Sequence, residues 1–237
     1  PSPRATKTTR MPEPDLAGWT APPRPSAPTL EGRWCRLERL DPSKHGDGLF
    51  EASLAPGAED SFRYLFEPPP ADRAAFDAWC RLAAAGTDPL FYAVIDPETG
   101  RTEGRQSLMR ITPEHGVIEI GNILWGPRIA RTRIATEALY LFAAYAFDAL
   151  GYRRFEWKCN AENEPSRRAA LRFGFSFEGV FRQHMVVKGR NRDTAWFAIT
   201  DAEWPAIRAG FERWLDPENF DAAGRQRLPL NVAREAS

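Results

Sequence analysis

The sequence predicts an α/β domain of the α+β type, in which helices cover both faces of a mixed, mostly antiparallel central sheet. Apolar segments of strand character alternate with segments of helical periodicity, in the order strand, one or two helices, three strands, helix, strand, helix, two strands. Short turns between the early strands favour an antiparallel meander. The strand–helix–strand step between Gly116 and Asn160 requires a right-handed crossover, so it predicts one parallel pair.

The first half of the chain is expected to supply a strand, a capped helix and three further strands. The stretch "GRWCRLERL", from Gly32, predicts the first strand. The stretch "ADRAAFDAWCRLAAAG" predicts a helix with Asp72 as its N-cap and Gly86 at its end, because apolar residues recur at i, i+3, i+4 and i+7. The segments "LFYAVID" and "RQSLMRI", around the turn "PETG", and then "GVIEIGNILW" predict three strands.

The second half begins with the longest predicted helix. The stretch "GPRIARTRIATEALYLFAAYAF" predicts a helix to about Leu150, with Gly151 as the residue that ends it. A strand "RRFEWKCN" and a short helix "NEPSRRAALRFG" follow. The segments "FSFEGVFRQHMVV" and "DTAWFAIT" predict a hairpin around the turn "KGRN", and a last helix is expected from Asp201.

Proline content and polarity predict a tail on each side of a single domain. Residues 1–30 hold eight of the 21 prolines, which do not build regular hydrogen-bonded structure, so this segment is expected to be loose or draped over the domain. We expect one domain over residues 31–215 and a polar C-terminal tail over residues 216–237.

Composition argues against several classes of partner. The formal net charge is zero, which disfavours nucleic acid and anionic membranes, and the apolar runs are far shorter than a membrane span. The three cysteines and three histidines are isolated in sequence and lack metal-ligand spacing. We therefore expect no metal and a reducing, cytoplasmic environment.

An anion site is predicted at the head of the longest helix. A helix N-terminus that follows a strand presents unpaired N–H groups and the positive end of the helix dipole, which suits a phosphate. Arg128, Arg131 and Arg133 add positive charge there, and Thr132 is placed to cap the helix. Taken alone, the stretch leaves open the alternative of an ordinary surface helix start.

Several short motifs follow one another with the order and spacing of one superfamily. They are "ATEA" at Ala135–Ala138, "AFDALGYRR" from Ala146 to Arg154, Asn163 with Ser166, "GFSFEG" from Gly174 with Arg182, and Asp193. From about Gly32 to Leu215 the chain resembles the GNAT acetyltransferase superfamily, and within it the ribosomal-protein N-terminal acetyltransferase group. The resemblance implies the GNAT-like acyl-CoA N-acyltransferase fold, with acetyl-CoA as the donor and a primary amine as the acceptor.

The resemblance also implies where the donor lies. In this superfamily the strand equivalent to "IEIGNILW" splays from the next strand, and the pantetheine arm lies in the gap. The turn after that strand would hold the pyrophosphate, and Arg168 or Arg172 would reach the adenosine 3′-phosphate. Asn163 would bond the pantetheine amide region or cap its own helix. The residues expected to hold the donor are Ile123, Leu124, Trp125, Arg128, Arg131, Thr132, Arg133, Ile134, Ala135, Thr136, Asn163, Arg168 and Arg172.

Two features depart from the superfamily pattern. Arg131 and Arg133 stand where glycine is usual, so these arginines either grip the phosphates or block them. Ala170 stands where many members carry a tyrosine proposed to protonate the departing thiolate, so any general acid lies elsewhere.

The chemistry requires a neutral amine, a held oxyanion and a leaving thiolate. Glu119 interrupts an apolar strand and is the candidate general base, while Ser166 can offer its hydroxyl to the thiolate. A strand N–H near Leu124 would hold the oxyanion. The acceptor is expected to contact Phe181, Arg182, His184 and Asp193, with Asp193 also read as a second base or as a clamp for Arg190 or Arg192.

The leading hypothesis is an N-acetyltransferase that acts on a protein N-terminus or a small-molecule amine, as a monomer or homodimer. A non-catalytic CoA-binding module that retains the fold is the alternative, motivated by the altered turn and the missing tyrosine. A nucleic-acid-binding domain built on "KGRNR" and "SRR" is disfavoured by the zero net charge.

Overall fold

An eight-stranded sheet forms the centre of the protein in the computed structural model, which describes residues 16–232. The strand order is β1-β2-β3-β4-β5-β6-β8-β7, and every neighbouring pair is antiparallel except β5 and β6. The predicted mixed, mostly antiparallel sheet with one parallel pair is therefore confirmed. The strands are β1 Thr29–Glu31, β2 Arg36–Arg39, β3 Leu90–Ile95, β4 Thr102–Thr112, β5 Val117–Trp125, β6 Arg154–Asn160, β7 Ser176–Val187 and β8 Arg190–Thr200.

Helices cover both faces of this sheet, as the sequence predicts. Consecutive residues of β3 point to opposite faces of the sheet. The ring of Phe91 lies 5.7 Å from that of Trp79 in the third helix, and the ring of Tyr92 lies 5.1 Å from that of Phe142 in the fourth. One face thus meets the third helix and the other meets the fourth. The helices are α1 Pro42–Leu54, α2 Ala58–Phe62, α3 Arg73–Ala85, α4 Arg133–Ala144, α5 Glu164–Arg172 and α6 Trp204–Leu215.

The parallel pair β5–β6 separates part-way along its length. Register pairs run from Val117↔Arg154 to Ile120↔Trp157 and stop there, although β5 continues to Trp125. A bulge accompanies the separation, since Asn122 has φ 52° and the register between β4 and β5 shifts there. The predicted splay is confirmed.

The first predicted strand is wrong in its extent. The chain forms a β1–β2 hairpin, and the turn between the two strands is held by Glu137 of α4. The Glu137 carboxylate accepts the backbone N–H groups of Arg33, Trp34 and Cys35 at 2.5–3.0 Å. These three donors are therefore not free for a continuous strand ladder, and their acceptor lies about one hundred residues away in sequence.

The longest predicted helix has a change of pitch near its end. Helix α4 stops at Ala144, and one π-helical turn, Tyr145–Ala149, continues to the predicted terminator Gly151, which has φ 80°. The Tyr145 hydroxyl accepts the backbone N–H groups of Ser26 and Ala27, each at 2.9 Å.

Both predicted tails contain residues that lie against the domain. Tyr152 donates its hydroxyl to the carbonyl of Pro23 at 3.2 Å, so the described part of the N-terminal segment is draped over the domain. On the other side, Phe220 is 8% exposed and Trp214 donates its indole N–H to Gln226 at 3.0 Å. The predicted tails at residues 1–15 and 233–237 lie outside the described residues, and the domain boundaries stay predictions.

Candidate functional site

The separation of β5 and β6 creates a wedge-shaped gap, here called the wedge, between residues 121–125 of β5 and residues 158–160 of β6. On the α4 side, three rings close its floor. Phe173 lies between Trp125 and Trp157, with ring centroids 6.1 and 6.2 Å away. The wedge therefore opens where β5 leads into the turn before α4.

The turn at residues 126–132 and the first turn of α4 present unpaired backbone donors. The amide N–H groups of Arg131, Arg133 and Ala135 have no acceptor among the described residues. Thr132 is the N-cap of α4, as predicted, and its Oγ1 accepts the Ile134 N–H at 3.2 Å. Arg131 has φ 65°, so the backbone here has the alternating hand of an anion-binding nest. An anion site at this position is consistent with the free donors and with the dipole of α4.

The three arginines near this turn differ in what they contact. Arg128 pairs with Glu103 at 3.1 Å, and Arg133 lies 3.7 Å from the ring centroid of Trp34. The Arg131 side chain is exposed and makes no hydrogen bond or ion pair within the described residues. Arg133 is thus engaged away from the nest, whereas Arg131 is free to meet a phosphate.

Helix α5 forms the other side of the wedge. Asn163 caps α5 by accepting the N–H of Ser166 at 3.2 Å, and the Ser166 hydroxyl accepts the Trp157 indole N–H at 3.0 Å. Arg172 donates to Thr136 Oγ1 at 3.3 Å, which ties α5 to the first turn of α4. Arg168 is 65% exposed and lies 3.6 Å from Glu164. Arg172 is therefore nearer to the nest than Arg168.

Buried charges occupy the opposite face of the sheet, beside the base of the wedge. Glu119 and Glu156 are cross-strand neighbours on β5 and β6, and both pair with Lys158 Nζ, at 2.9 and 2.6 Å. Arg110 Nη1 donates to both oxygens of Glu119 at 2.8 and 2.9 Å. Burial raises the pKa of Glu119, while Lys158 and Arg110 oppose that rise. The pH at which Glu119 takes up and releases a proton therefore shifts upwards, towards neutrality.

The hairpin residues expected to meet the acceptor lie together on the same sheet. Phe181 stacks 4.5 Å from Trp196, and His184 shares a hydrogen bond of 2.9 Å with Thr194 Oγ1. Arg182 is exposed beside them. Asp193 does not clamp Arg190 or Arg192 as expected. It accepts the backbone N–H of Gln183 at 2.7 Å, which lies in a bulge of β7, and the side-chain amide of Asn191 at 2.9 Å.

A loop that the sequence analysis missed covers this face. Residues 62–67, here called the α2 loop, begin at the last residue of α2 and contact three other elements. Lys188, in the turn of the β7–β8 hairpin, donates to the carbonyls of Phe62 and Glu67 at 2.7 and 3.0 Å. Tyr64 donates its hydroxyl to the carbonyl of Glu162 at 3.3 Å. These contacts tie the α2 loop to the β6 side of the wedge.

Arg105 connects this loop to the bulge in β5. It is 2% exposed, donates to the carbonyl of Asn122 at 2.8 Å, and pairs with the carboxylate of Glu67. Arg105 and Lys158 were missed. Both strands carry other polar side chains, so the sequence does not distinguish these two cations as buried.

The sequence model of the acetyltransferase (GNAT) domain family matches residues 36–176. The chain belongs to the GNAT acetyltransferase family. The matched range runs from the start of β2 to the start of β7, and it contains the wedge, the nest and the Glu119 cluster.

Solved structures of the family are similar to this chain in fold. A GCN5-related N-acetyltransferase from Brucella melitensis is 60% identical, with a TM-score of 0.88 over 90% of this chain and 96% of its own. A GNAT-family structure from Chromobacterium violaceum is 39% identical, with a TM-score of 0.75 over 86% of this chain and 100% of its own. A Vibrio cholerae protein named as a ribosomal-protein-serine acetyltransferase is 17% identical at a TM-score of 0.62, and this likeness shows the fold alone.

Among curated proteins the likeness is partial. The N-acetyltransferase p20 of Bacillus licheniformis, itself uncharacterised, is 31% identical over 117 residues, which are 48% of this chain and 63% of p20. The match therefore spans less than two thirds of that relative. In the described part of the chain, no cluster of three or more His, Cys, Asp or Glu side chains suits a metal ion. Residues 16–232 also contain no helix with the length and apolarity that crossing a bilayer requires.

Proposed function

We propose that the chain moves the acetyl group of acetyl-CoA to a primary amine by direct attack of the amine on the thioester. The observation that carries this proposal is the wedge beside the free N–H groups of Arg131, Arg133 and Ala135. A gap between strands exposes backbone that an extended amide-bearing arm can pair with, and the nest suits a pyrophosphate. Membership of the GNAT family supports the same donor.

The donor would be held by elements on the α4 side of the sheet. The backbone of Ile123–Trp125 would pair with the pantetheine arm, and the nest at residues 131–135 would take the pyrophosphate. Arg131 would add its charge because no other residue within 16–232 engages its side chain. Arg172, whose contact with Thr136 brings it to the same helix end, is better placed than Arg168 for the remaining phosphate.

The acceptor would approach from the face that carries Glu119. The amine nitrogen forms a bond to the thioester carbonyl carbon, the carbon–sulfur bond breaks, and CoA leaves as the thiolate. The amine loses one proton, which passes to a base, and the thiolate later takes one up. Both oxygens of Glu119 are engaged by cations, so we infer that the proton reaches Glu119 through an intervening water.

Two further groups would stabilise the tetrahedral intermediate and its leaving thiolate. A backbone N–H near Leu124 would stabilise the oxyanion, because a fixed dipole in a buried site stabilises developing charge. The Ser166 hydroxyl accepts a hydrogen bond from Trp157 and also contacts the Cys159 thiol, so its hydrogen would turn from that sulfur to the departing thiolate. Ala170, which stands at the position of the usual tyrosine, is fully buried and supplies no acid.

The test combines calorimetric titration with acetyl-CoA and a continuous assay of free CoA over a panel of amines and N-terminal peptides. We expect acetyl-CoA to bind and at least one amine to be acetylated. Binding without turnover across the panel would favour the non-catalytic CoA-binding module. Failure of acetyl-CoA and CoA to bind would refute both functions.

A further inference from the structure

A buried arginine near the acceptor side forms no ion pair with any residue that the structure describes. Arg192 of β8 is 8% exposed, and its Nε atom is enclosed without a hydrogen-bond acceptor. None of the ion pairs or hydrogen bonds among residues 16–232 uses its guanidinium. The ring of Phe66 in the α2 loop lies over it, with its centroid 5.0 Å from Cζ. A buried charge without a partner destabilises a protein, so its presence points to a ligand that supplies the partner.

A second orphan donor lies on the same face of β8. The indole N–H of Trp196 is buried without an acceptor, and alternate residues of a strand share a face, which places Trp196 with Arg192. Lys158 Nζ lies 3.8 Å from the Trp196 ring centroid, so this is also the face of Glu119. Thr194, between the two donors, holds His184. Donors without acceptors therefore form a row beside the proposed path of the amine.

The charges of this face determine what kind of group would fit. Three cations and three carboxylates pair among themselves and sum to zero; they are Arg110, Arg154, Lys158, Glu119, Glu156 and Glu178. Arg192 adds a positive charge that none of these carboxylates pairs with. A carboxylate neutralises one charge, whereas a phosphate brings about two negative charges and would leave an excess. The guanidinium also presents a planar fork that matches a carboxylate.

We propose that Arg192 binds a carboxylate of the acceptor, so that the substrates are primary amines that also carry a carboxylate. This inference rests on the proposed function and specifies its substrate class. Such amines come from two sources, free amino acids and peptides whose first residue is Asp or Glu. The phenyl ring of Phe66, in the α2 loop, covers Arg192, and the Trp196 indole N–H has no acceptor among the described residues of the same face.

The experiment measures kcat/KM at saturating acetyl-CoA for matched pairs of acceptors. One arm compares free amino acids with their α-carboxamides, and the other compares peptide amides that begin with Asp or Glu with those that begin with Asn or Gln. We expect the carboxylate member of the productive arm to be favoured at least tenfold. Arg192→Gln should abolish that preference by lowering kcat/KM for the carboxylate member alone. Arg190→Gln, an exposed arginine of the same strand, is the matched control and should keep the preference.

Thermal unfolding gives a readout that does not depend on turnover. Arg192→Met should raise the Tm by a few degrees, because it removes a buried charge that lacks a partner. A lower Tm than the parent would mark Arg192 as a structural residue and overturn the assignment. Equal rates on both members of every pair would overturn it while leaving the proposed function intact. Absence of turnover on every amine of both arms and of the wider panel would remove the proposed function and this assignment together.

Discussion

Glu119 and Glu156 lie side by side on neighbouring parallel strands and hold the same ammonium group, that of Lys158. Their side chains are 3% and 9% exposed. Neutralising either carboxylate should therefore destabilise the cluster to a similar extent. Only Glu119 belongs to β5, the strand whose far end forms the wedge. The two carboxylates therefore offer a matched comparison between catalysis and ion pairing.

Glu119→Gln should lower kcat by about tenfold or more, on the order of the lower end of a general-base contribution, with the Kd for acetyl-CoA nearly unchanged. Glu156→Gln should lower the Tm to a similar extent but leave kcat within about twofold. The pH profile adds a second readout. Since burial raises the pKa of Glu119 above the usual 4.5, the acid limb of the parent's profile should lie above that pH and vanish in Glu119→Gln. Equal loss of kcat in both variants would assign Glu119 to ion pairing alone.

Arg131 has two separable properties, its positive φ and its free guanidinium. Arg131→Gly removes the charge and relieves the backbone, while Arg131→Ala removes the charge and keeps the unfavourable φ of 65°. Both variants should weaken acetyl-CoA binding about threefold to tenfold, the effect of one charge-assisted contact, as measured by calorimetry. The glycine variant should unfold at the higher temperature. Arg81→Ala, an exposed arginine of α3, controls for net charge, and tighter binding by Arg131→Gly would mean that the arginine blocks the site.

At the scale of elements, the α2 loop is connected to both sides of the wedge by few contacts, and Lys188 supplies two of them. Lys188→Met should release the loop from the β7–β8 hairpin and raise the acceptor KM severalfold, because the loop lies over the acceptor side and not over the nest. The Kd for acetyl-CoA should stay unchanged. Lys44→Met, an exposed lysine of α1, is the control. A rise in acetyl-CoA Kd with an unaltered acceptor KM would place the loop on the donor side instead.

Elements with local signals could be predicted, and those fixed by distant partners could not. Asp72, Thr132 and Asn163 cap the predicted helices because a cap needs only the next few backbone N–H groups. The β1–β2 turn depends on Glu137, and the bulge at Asn122 depends on Arg105. Neither feature can therefore be predicted from the residues of its own segment.

The candidate site shows the same division. The wedge and the cap of α4 follow from strand and helix order together with the family resemblance. The direction of Arg133 towards Trp34 does not, because it depends on an aromatic ring brought in by another element. The isolation of Arg192 is equally invisible in the sequence, since only burial without a partner distinguishes it from other arginines.

At the scale of the whole molecule, the segment after α6 returns to cover that helix. Asn219 donates its side-chain amide to the carbonyl of Trp214 at 2.9 Å, and Phe220 packs 5.1 Å from the Trp214 ring. Further along, the chain at residues 231 and 232 passes directly over Gly210, where a Cβ would lie 2.7 Å from the Asn231 carbonyl oxygen and 3.0 Å from Val232 Cα. A glycine inside a helix is unfavourable, so this close approach explains why one is present.

Gly210→Ala therefore changes the stability of the protein in two opposite ways. Helix propensity alone would stabilise the protein by about 1 kcal/mol. Displacement of the covering segment costs about 1–3 kcal/mol, as overpacking does, so we expect the Tm to fall. Gly46→Ala in α1 is the matched control, because its Cβ would meet only Arg73 Nη2 at 3.8 Å. That variant should gain about 1 kcal/mol, a rise of roughly 2–4 °C for a chain of this size. An equal rise in both variants would mean that residues 231 and 232 add nothing to the stability of the fold.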